Sequence, residues 1–340
     1  MSEFVSVIVP CRNERGAIEK FLESVFAQTD VAGGFEVIVA DGDSDDGTRD
    51  VLLRWATREP RLQVVDNPRR TVSPGLNIAI HAARGDVIVR MDVHSVYAPD
   101  YIAQCLAALA GTGASNVGGP ALTRAVTTFQ RANAAAYRSP FSVGGARFHD
   151  PRYEGYVDTV TYGCWRRQTL LDAGLFDEEL VRNQDDELNL RIVRSGGRIW
   201  QTPLIRSWYY PRSSLSALFR QYYQYGYWKV RVIRKHRIPA SWRHLVPVSV
   251  LLLSIALLVA GFLDLRAWKL LAALAALYTG LVLAVSVFEA RRAGDWKVLP
   301  WLPLVFVAYH WSYALGFSRG LLDRFSRGQR PARSAIGLTR

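Results

Sequence analysis

Cysteine is scarce: the 340 residues contain only Cys11, Cys105 and Cys164. An odd, scattered set gives neither a disulfide framework nor a zinc pattern, and it suits a reducing compartment. No signal peptide is expected, since Met1 to Ser6 lacks a basic stretch and Val5 to Val9 is too short for its apolar core. Zinc-finger spacing and an RNA-binding aromatic signature are missing too, so nucleic acid is not an expected partner. Long apolar runs are absent from the first 240 residues or so, and residues 1–235 read as one mixed, charged domain expected to stay in the cytoplasm.

Beyond that point the composition changes. Apolar runs cover about 245–263, 268–288 and 298–317, each near the roughly 20 residues that span a bilayer. Trp242, Trp268, Trp296 and Trp301 stand at their ends, as interfacial aromatics do. The reading is a membrane domain over 236–325 and a basic tail over 326–340. The formal net charge is +12, which favours an anionic partner. Lys229, Arg231, Arg234, Lys235 and Arg237 sit just before the first run, so membrane lipid is the expected one. Topology poses a conflict. Three spans would put Arg319, Arg324, Arg327, Arg330, Arg333 and Arg340 outside, yet positive charge prefers the cytoplasm. With His310, Ser312 and prolines in or near it, the third segment is expected to be re-entrant or interfacial.

Through the first 240 residues strands and helices alternate. Val5–Val9, Val37–Val39 and Leu62–Val65 read as strands, and Asp86–His94 as a fourth. Between them run helices carrying Ile18, Phe21, Leu22, Val25 and Phe26, then Val51, Leu52 and Trp55. A third starts near Ser73-Pro74, with Ser73 as its cap. Another helix covers Pro99 to about Ala110. This alternation predicts βαβ units and a parallel sheet, with ligands beyond the carboxyl ends of the strands. Further strands are expected over Tyr156–Trp165 and Arg198–Ile205. A helix after Gln184 turns Leu188, Ile192 and Val193 inward, and an aromatic helix runs from Ser213 to Lys229.

The chemistry-bearing residues gather at strand ends. Asp92 and His94 close the fourth strand. On a continuous strand they would point the same way and could share one divalent cation; equally, they could be two polar residues leaving the core. An acidic run, Asp41 to Thr48, follows the second strand. Asp185, Asp186 and Glu187 open a helix, where capping and the helix dipole account for one carboxylate but not for three.

Five motifs in order complete the picture: Val7-Ile8-Val9-Pro10 with Asn13-Glu14; Asp41-Gly-x-Ser-x-Asp-Gly-Thr48; Met91-Asp92-Val93-His94; Gly174-Leu175-Phe176-Asp177-Glu178; and Asn183-Gln184-Asp185-Asp186-Glu187. Together they resemble the family 2 glycosyltransferases, and within them the membrane-anchored ExoA-like enzymes of bacterial exopolysaccharide assembly. The resemblance covers roughly residues 4–235. It implies an α/β fold of the GT-A type, a Rossmann-like nucleotide-diphospho-sugar transferase domain, followed by transmembrane helices. It also implies that Pro10, Arg12, Asn13, Glu14, Asp41, Asp43 and Asp92 hold a nucleotide-sugar donor. Asp92 and His94 would bind Mn²⁺ or Mg²⁺, with imidazole favouring Mn²⁺. Asp185 would be the general base; Asp186 and Glu187 are alternatives, and Gln184 stands where the family usually has Glu.

The implied reaction is an inverting transfer of one sugar. A carboxylate takes the acceptor proton, and a cation steadies the departing diphosphate. The family's processive Gln-x-x-Arg-Trp motif is altered here, with Gln221 kept but Gln224 and Tyr225 in place of Arg and Trp. That departure suggests a non-processive enzyme, and these three residues are candidates for an acceptor or membrane-proximal role. By family habit the donor would be a UDP-sugar such as UDP-glucose. The acceptor would be a polyprenyl-diphosphate-linked saccharide, and the location the bacterial inner membrane with the catalytic domain facing the cytoplasm. Two rivals stand beside this reading: a non-catalytic assembly partner that kept the fold, and a nucleotidyltransferase.

Overall fold

The computed structural model describes residues 3–239 and 241–323. Contacts divide the chain into two units: Met1–Thr123 with Arg147–Tyr210, and Arg124–Ala146 with Pro211–Arg340. The reading of the sequence divided it at residue 235 instead.

In the first unit, strands β1 (Val5–Cys11), β2 (Phe35–Asp41), β3 (Leu62–Asp66) and β4 (Val87–Arg90) alternate with helices α1 (Ile18–Phe26), α2 (Thr48–Ala56) and α3 (Val72–Ala82). The four strands pair in parallel in the order β3-β2-β1-β4. Every residue of β2 is buried, as expected of a sheet covered on both faces. Alternate side chains serve opposite cores. Val7 and Val9 join Phe21, Leu22, Val51 and Leu52, whereas Ile8 joins Leu76, Ile80, Trp165 and Leu188.

Next come β5 (Ser95–Tyr97), α4 (Tyr101–Thr112), β6 (Asn116–Gly119) and β7 (Leu122–Thr123). Helices α5 (Thr128–Tyr137) and α6 (Pro140–Val143) belong to the second unit. The chain returns to the first with β8 (Gly155–Val157), β9 (Thr161–Arg166), α7 (Arg167–Asp172), α8 (Gln184–Arg194), β10 (Ile199–Gln201) and β11 (Ser207–Tyr209). The large sheet has eight strands in the order β3-β2-β1-β4-β9-β6-β10-β8, and a small one has the order β5-β11-β7.

Several expectations need correction. The sheet is mixed, because β9 runs antiparallel to both β4 and β6. Asp86–His94 is not one strand. β4 stops at Arg90, a turn follows in which the Ser95 amide donates to the Asp92 carbonyl at 3.1 Å, and β5 leaves for the other sheet. The alternation argument for Asp92 and His94 therefore lapses. Tyr156–Trp165 is two strands, and Arg198–Ile205 contracts to β10. Ser73 lies inside α3, where its hydroxyl donates to the Leu180 carbonyl instead of capping the helix. Leu188 and Ile192 point inward, but Val193 is exposed.

The second unit also holds α9 (Leu215–His236), which continues past the expected end at Lys229, then α10 (Val246–Ala260), α11 (Leu265–Ala293) and α12 (Leu302–Leu322). Among the described residues two stretches are long and apolar enough to cross a membrane, Trp242–Ala260 and Leu265–Ala293. The third apolar segment forms α12, a single unbroken helix packed on α9. Arg324, Arg327, Arg330, Arg333 and Arg340 lie outside the described residues.

Candidate active site

The first three parallel strands end on one edge, and the loops that follow them are laced together. The Asn13 amide donates to Ser44 Oγ at 2.8 Å and the Glu14 amide to Thr48 Oγ1 at 2.7 Å. The Asp45 amide donates to Asn13 Oδ1 at 2.9 Å. Asp41, fully buried, accepts from Ser44 Oγ at 2.6 Å and from Arg49 at 3.1 Å. Asp43 is exposed, has left-handed backbone (φ 56°) and pairs with Arg70. Pro10 and Arg12 belong to the same edge, at the end of β1 and in its loop. Much of the second motif thus holds the loops in shape: its Ser and Thr take amide hydrogens, which the spacing alone did not reveal.

The centre of the site is Arg90, the last residue of β4 and 4% exposed. Its Nε and Nη2 donate to the two oxygens of Asp92 at 3.0 and 3.2 Å, and its Nη1 donates to Asp185. The guanidinium lies 6.0 Å from the Tyr162 ring centre. Tyr162 has a positive φ of 63° and shares a hydrogen bond with Ser95. The Asp92 amide donates to Tyr97 Oη at 2.6 Å. Asp92 and Asp185 are far apart in sequence, and one buried cation brings them together.

Asp185 sits in the first turn of α8, after Asn183 in left-handed backbone (φ 61°). The Gly174–Glu178 motif supports that helix. Phe176 packs edge-on against Trp165, and its amide donates to Asn77 Oδ1 at 2.9 Å. Arg191 of α8 donates to the Ala173 and Leu175 carbonyls and to Glu187. Glu187 is fully buried in that pair. Burial raises the Asp185 carboxyl to about 6; Arg90 opposes this, while Asp92 and Asp186 add to it. A carboxylate at that level is still mostly ionised at neutral pH and more basic than usual. Burial works against the charge on Arg90, but Asp185 and Asp92 outweigh it and hold the proton more firmly than usual.

His94 is exposed, with Nδ1 3.9 Å from Glu14 Oε1. Among the described residues no group of three or more His, Cys, Asp or Glu side chains could hold a metal ion. Gln221, Gln224 and Tyr225 lie in α9 of the second unit. Gln221 Nε2 donates to Tyr225 Oη at 3.0 Å and its Oε1 accepts from Arg212 at 3.3 Å, while Gln224 is fully buried.

Arg90, Tyr97 and Tyr162 were not foreseen as site residues. The signal for Arg90 was a charge directly after the apolar run Val87–Val89; its contact with Asp185 across the fold left no mark in the sequence.

Known proteins share this architecture. Residues 6–174 match the model of glycosyl transferase family 2. The chain is 31% identical to the succinoglycan biosynthesis protein ExoA of Rhizobium meliloti, over 93% of this chain and 94% of that one. It is 26% identical to a dolichyl N-acetyl-alpha-D-glucosaminyl phosphate 3-beta-D-2,3-diacetamido-2,3-dideoxy-beta-D-glucuronosyltransferase of Methanococcus voltae, over 94% and 97%. The solved structure of a mannosyltransferase from Pyrobaculum calidifontis, in complex with GDP-Man and Mn²⁺, superposes with a TM-score of 0.61 at 23% identity. That match covers 95% of this chain and 88% of the other, and the fold is GT-A.

Proposed function

The chain belongs to glycosyl transferase family 2, and from that premise we propose that it moves one sugar from a nucleotide-sugar donor to a membrane lipid-linked saccharide, with inversion at the anomeric carbon. The observation that carries the reading is the meeting of Asp92 and Asp185 on Arg90 at the end of β4. Asp185 takes the proton of the acceptor hydroxyl as that oxygen attacks the sugar. Arg90 holds the base in place, and Tyr97, Tyr162 and Ser95 hold the turn that carries Asp92. Pro10, Arg12, Asn13, Glu14, Asp41 and Asp43 frame the donor nucleotide on the edge formed by the β1 and β2 loops.

A carboxylate and an imidazole, Asp92 and His94, make a donor set that suits a divalent cation, and oxygens of the donor's diphosphate would complete it. Such a cation would stabilise the negative charge of the departing nucleoside diphosphate. The succinoglycan biosynthesis relative and the relative named for a dolichyl-linked sugar phosphate support a polyprenyl carrier as acceptor, with action in exopolysaccharide or other lipid-linked glycan synthesis. UDP-glucose is the first donor to try. Gln224 and Tyr225, where a processive enzyme has Arg and Trp, support single-sugar addition.

The purified full chain in detergent, screened by thermal shift against UDP-, GDP-, dTDP- and CMP-sugars with and without Mn²⁺, tests the donor half of this reading. One sugar nucleotide should raise the melting temperature only with the metal present, and excess EDTA should abolish transfer. Full transfer in EDTA would remove the metal; no shift with any donor would remove the transferase.

A further inference from the structure

We propose that Asn189, held between Asn116 and Thr159, is a positioning residue for the base: it fixes the rotation of α8 and, through it, the place of Asp185. The proposal rests on the transferase reading of Asp185.

Asn189 lies four residues after Asp185 on α8. Residues so spaced share one helix face, one turn apart. The Asp185 side chain is 34% exposed, whereas Asn189 is 2% exposed. Its carboxamide is part of a buried chain of hydrogen bonds. The Cys164 amide donates to Asn116 Oδ1 at 3.2 Å, Asn116 Nδ2 donates to Asn189 Oδ1 at 2.9 Å, and Asn189 Nδ2 donates to Thr159 Oγ1 at 2.8 Å. A backbone N–H can only donate, so the first bond sets the orientation of the Asn116 amide, and the rest of the chain follows in one sense. Asn116 and Thr159 are buried too. Burying carboxamides is costly unless they are bonded, and here the oxygen and the nitrogen of each have a partner.

These bonds fix what the other contacts of α8 leave loose. Leu188 and Ile192 bury apolar surface, an attraction without direction. Arg191 ties the helix to the Ala173 and Leu175 carbonyls, but through a long side chain. The Asn189 side chain is short, and its partners stand on β6 and just before β9. A helix with its side chains is about 10–12 Å across, so a turn of about 10° about its axis carries a carboxylate through about 1 Å. A misplacement of about 1 Å costs about 100-fold in rate.

The same chain of bonds reaches Arg90 from the opposite side. Val117 pairs with Cys164 and Gly119 with Thr161, so β9 carries an extra residue against β6. Tyr162 (φ 63°) and Gly163 (φ 112°) form that bulge, and a Cβ on Gly163 would lie 2.8 Å from Asn116 Oδ1. The Tyr162 ring centre is 6.0 Å from the Arg90 guanidinium. Asn116 thus ties the bulge bearing Tyr162 to the helix bearing Asp185, and Arg90 faces both.

The test compares Asn189→Leu, which removes both bonds at similar volume, with Ile192→Val, which thins the apolar side of the same helix. Each is made as the full chain in detergent. Transfer is measured per folded molecule from UDP-glucose, or from the sugar nucleotide that the thermal-shift screen selects, to a polyprenyl-linked saccharide. Asn189→Leu should lower kcat by about 10- to 100-fold and leave the donor Kd within about threefold. Ile192→Val should lower the melting temperature and leave kcat unchanged. The pH profile separates positioning from mere structure. Asp185 faces Arg90, Asp92, Asp186 and Tyr162. Arg90 holds its carboxyl down, so an Asp185 that slips from Arg90 becomes more basic. The acid limb of kcat in Asn189→Leu should therefore lie at higher pH than in the wild type. Thr159→Val cuts one bond and should move kcat and the limb the same way by less; it carries the test if Asn189→Leu does not fold. A folded Asn189→Leu with kcat and limb unchanged, or changes matched by Ile192→Val, would overturn the proposal. Asp185→Asn, run beside them, tells the two failures apart. If it transfers at the wild-type rate, the base reading falls and this proposal with it. If it is inactive while Asn189→Leu is not slowed, this proposal alone falls.

Discussion

Arg90 donates to Asp92 and Asp185 at once, and its replacement should therefore act through both. A lysine has one ammonium group and cannot fork to two carboxylates. Arg90→Lys is expected to lower kcat about 100-fold, the scale of a misplaced catalytic group. The double variant Arg90→Lys/Asp185→Asn should lose less than the product of the two single losses, since the part of the Arg90 effect that runs through Asp185 is already gone; fully multiplied losses would make Arg90 a merely structural cation. The pH dependence follows from Asp185. Its carboxyl is raised to about 6, so the base is ionised above that value and lost as pH falls through it. The acid limb of kcat should lie near pH 6. Asp186 adds to the rise, so Asp186→Asn should move the limb to lower pH. A limb left at the ordinary aspartate position in the wild type would contradict the assignment. At this scale the sequence was legible as position: it put Asp92 after the fourth apolar run and Asp185 at the start of a helix, where the structure has them. Arg90 lay hidden because its meaning depends on a contact between distant parts of the chain.

The elements were legible where burial is uniform. Strands β1 and β2 and helices α1 and α2 follow directly from apolar runs and their period. They failed where turn geometry decides. Nothing in the pattern Val-Ile-Val-Arg-Met-Asp-Val-His announces that the chain turns after Asp92, because the turn is held by an amide-to-carbonyl bond and by Tyr97. The antiparallel insertion of β9 was invisible for a similar reason: pairing direction leaves no mark on a short apolar strand. Helix packing gives a prediction at this scale. Gly316→Ala sets a methyl group against the Tyr223 backbone and should cost about 1–3 kcal/mol, as overpacking does, read as a lower melting temperature in detergent. Gly280→Ala in α11, with open space around it, should be neutral or stabilising. Equal losses at both positions would argue against a close α9–α12 contact.

For the whole molecule, the order of motifs along the chain indicated the GT-A fold and the family, because each motif ends a strand or opens a helix of the same domain. The division into units was less legible. Helices α5 and α6 leave the first unit from the middle of its sequence and join α9 to α12, and no change of composition marks that excursion. The central claim is that Asp185 is the base of a sugar transfer whose donor is held elsewhere on the same edge. The most direct measurement takes wild type and Asp185→Asn, each with Mn²⁺, and determines the Kd for the nucleotide sugar beside the rate of transfer to a polyprenyl-linked acceptor. Donor affinity should stay within about threefold, while the rate falls by about 10²- to 10⁴-fold, the usual worth of a general base. A variant that still transfers at the wild-type rate, or that loses binding and transfer in equal measure, would contradict the account.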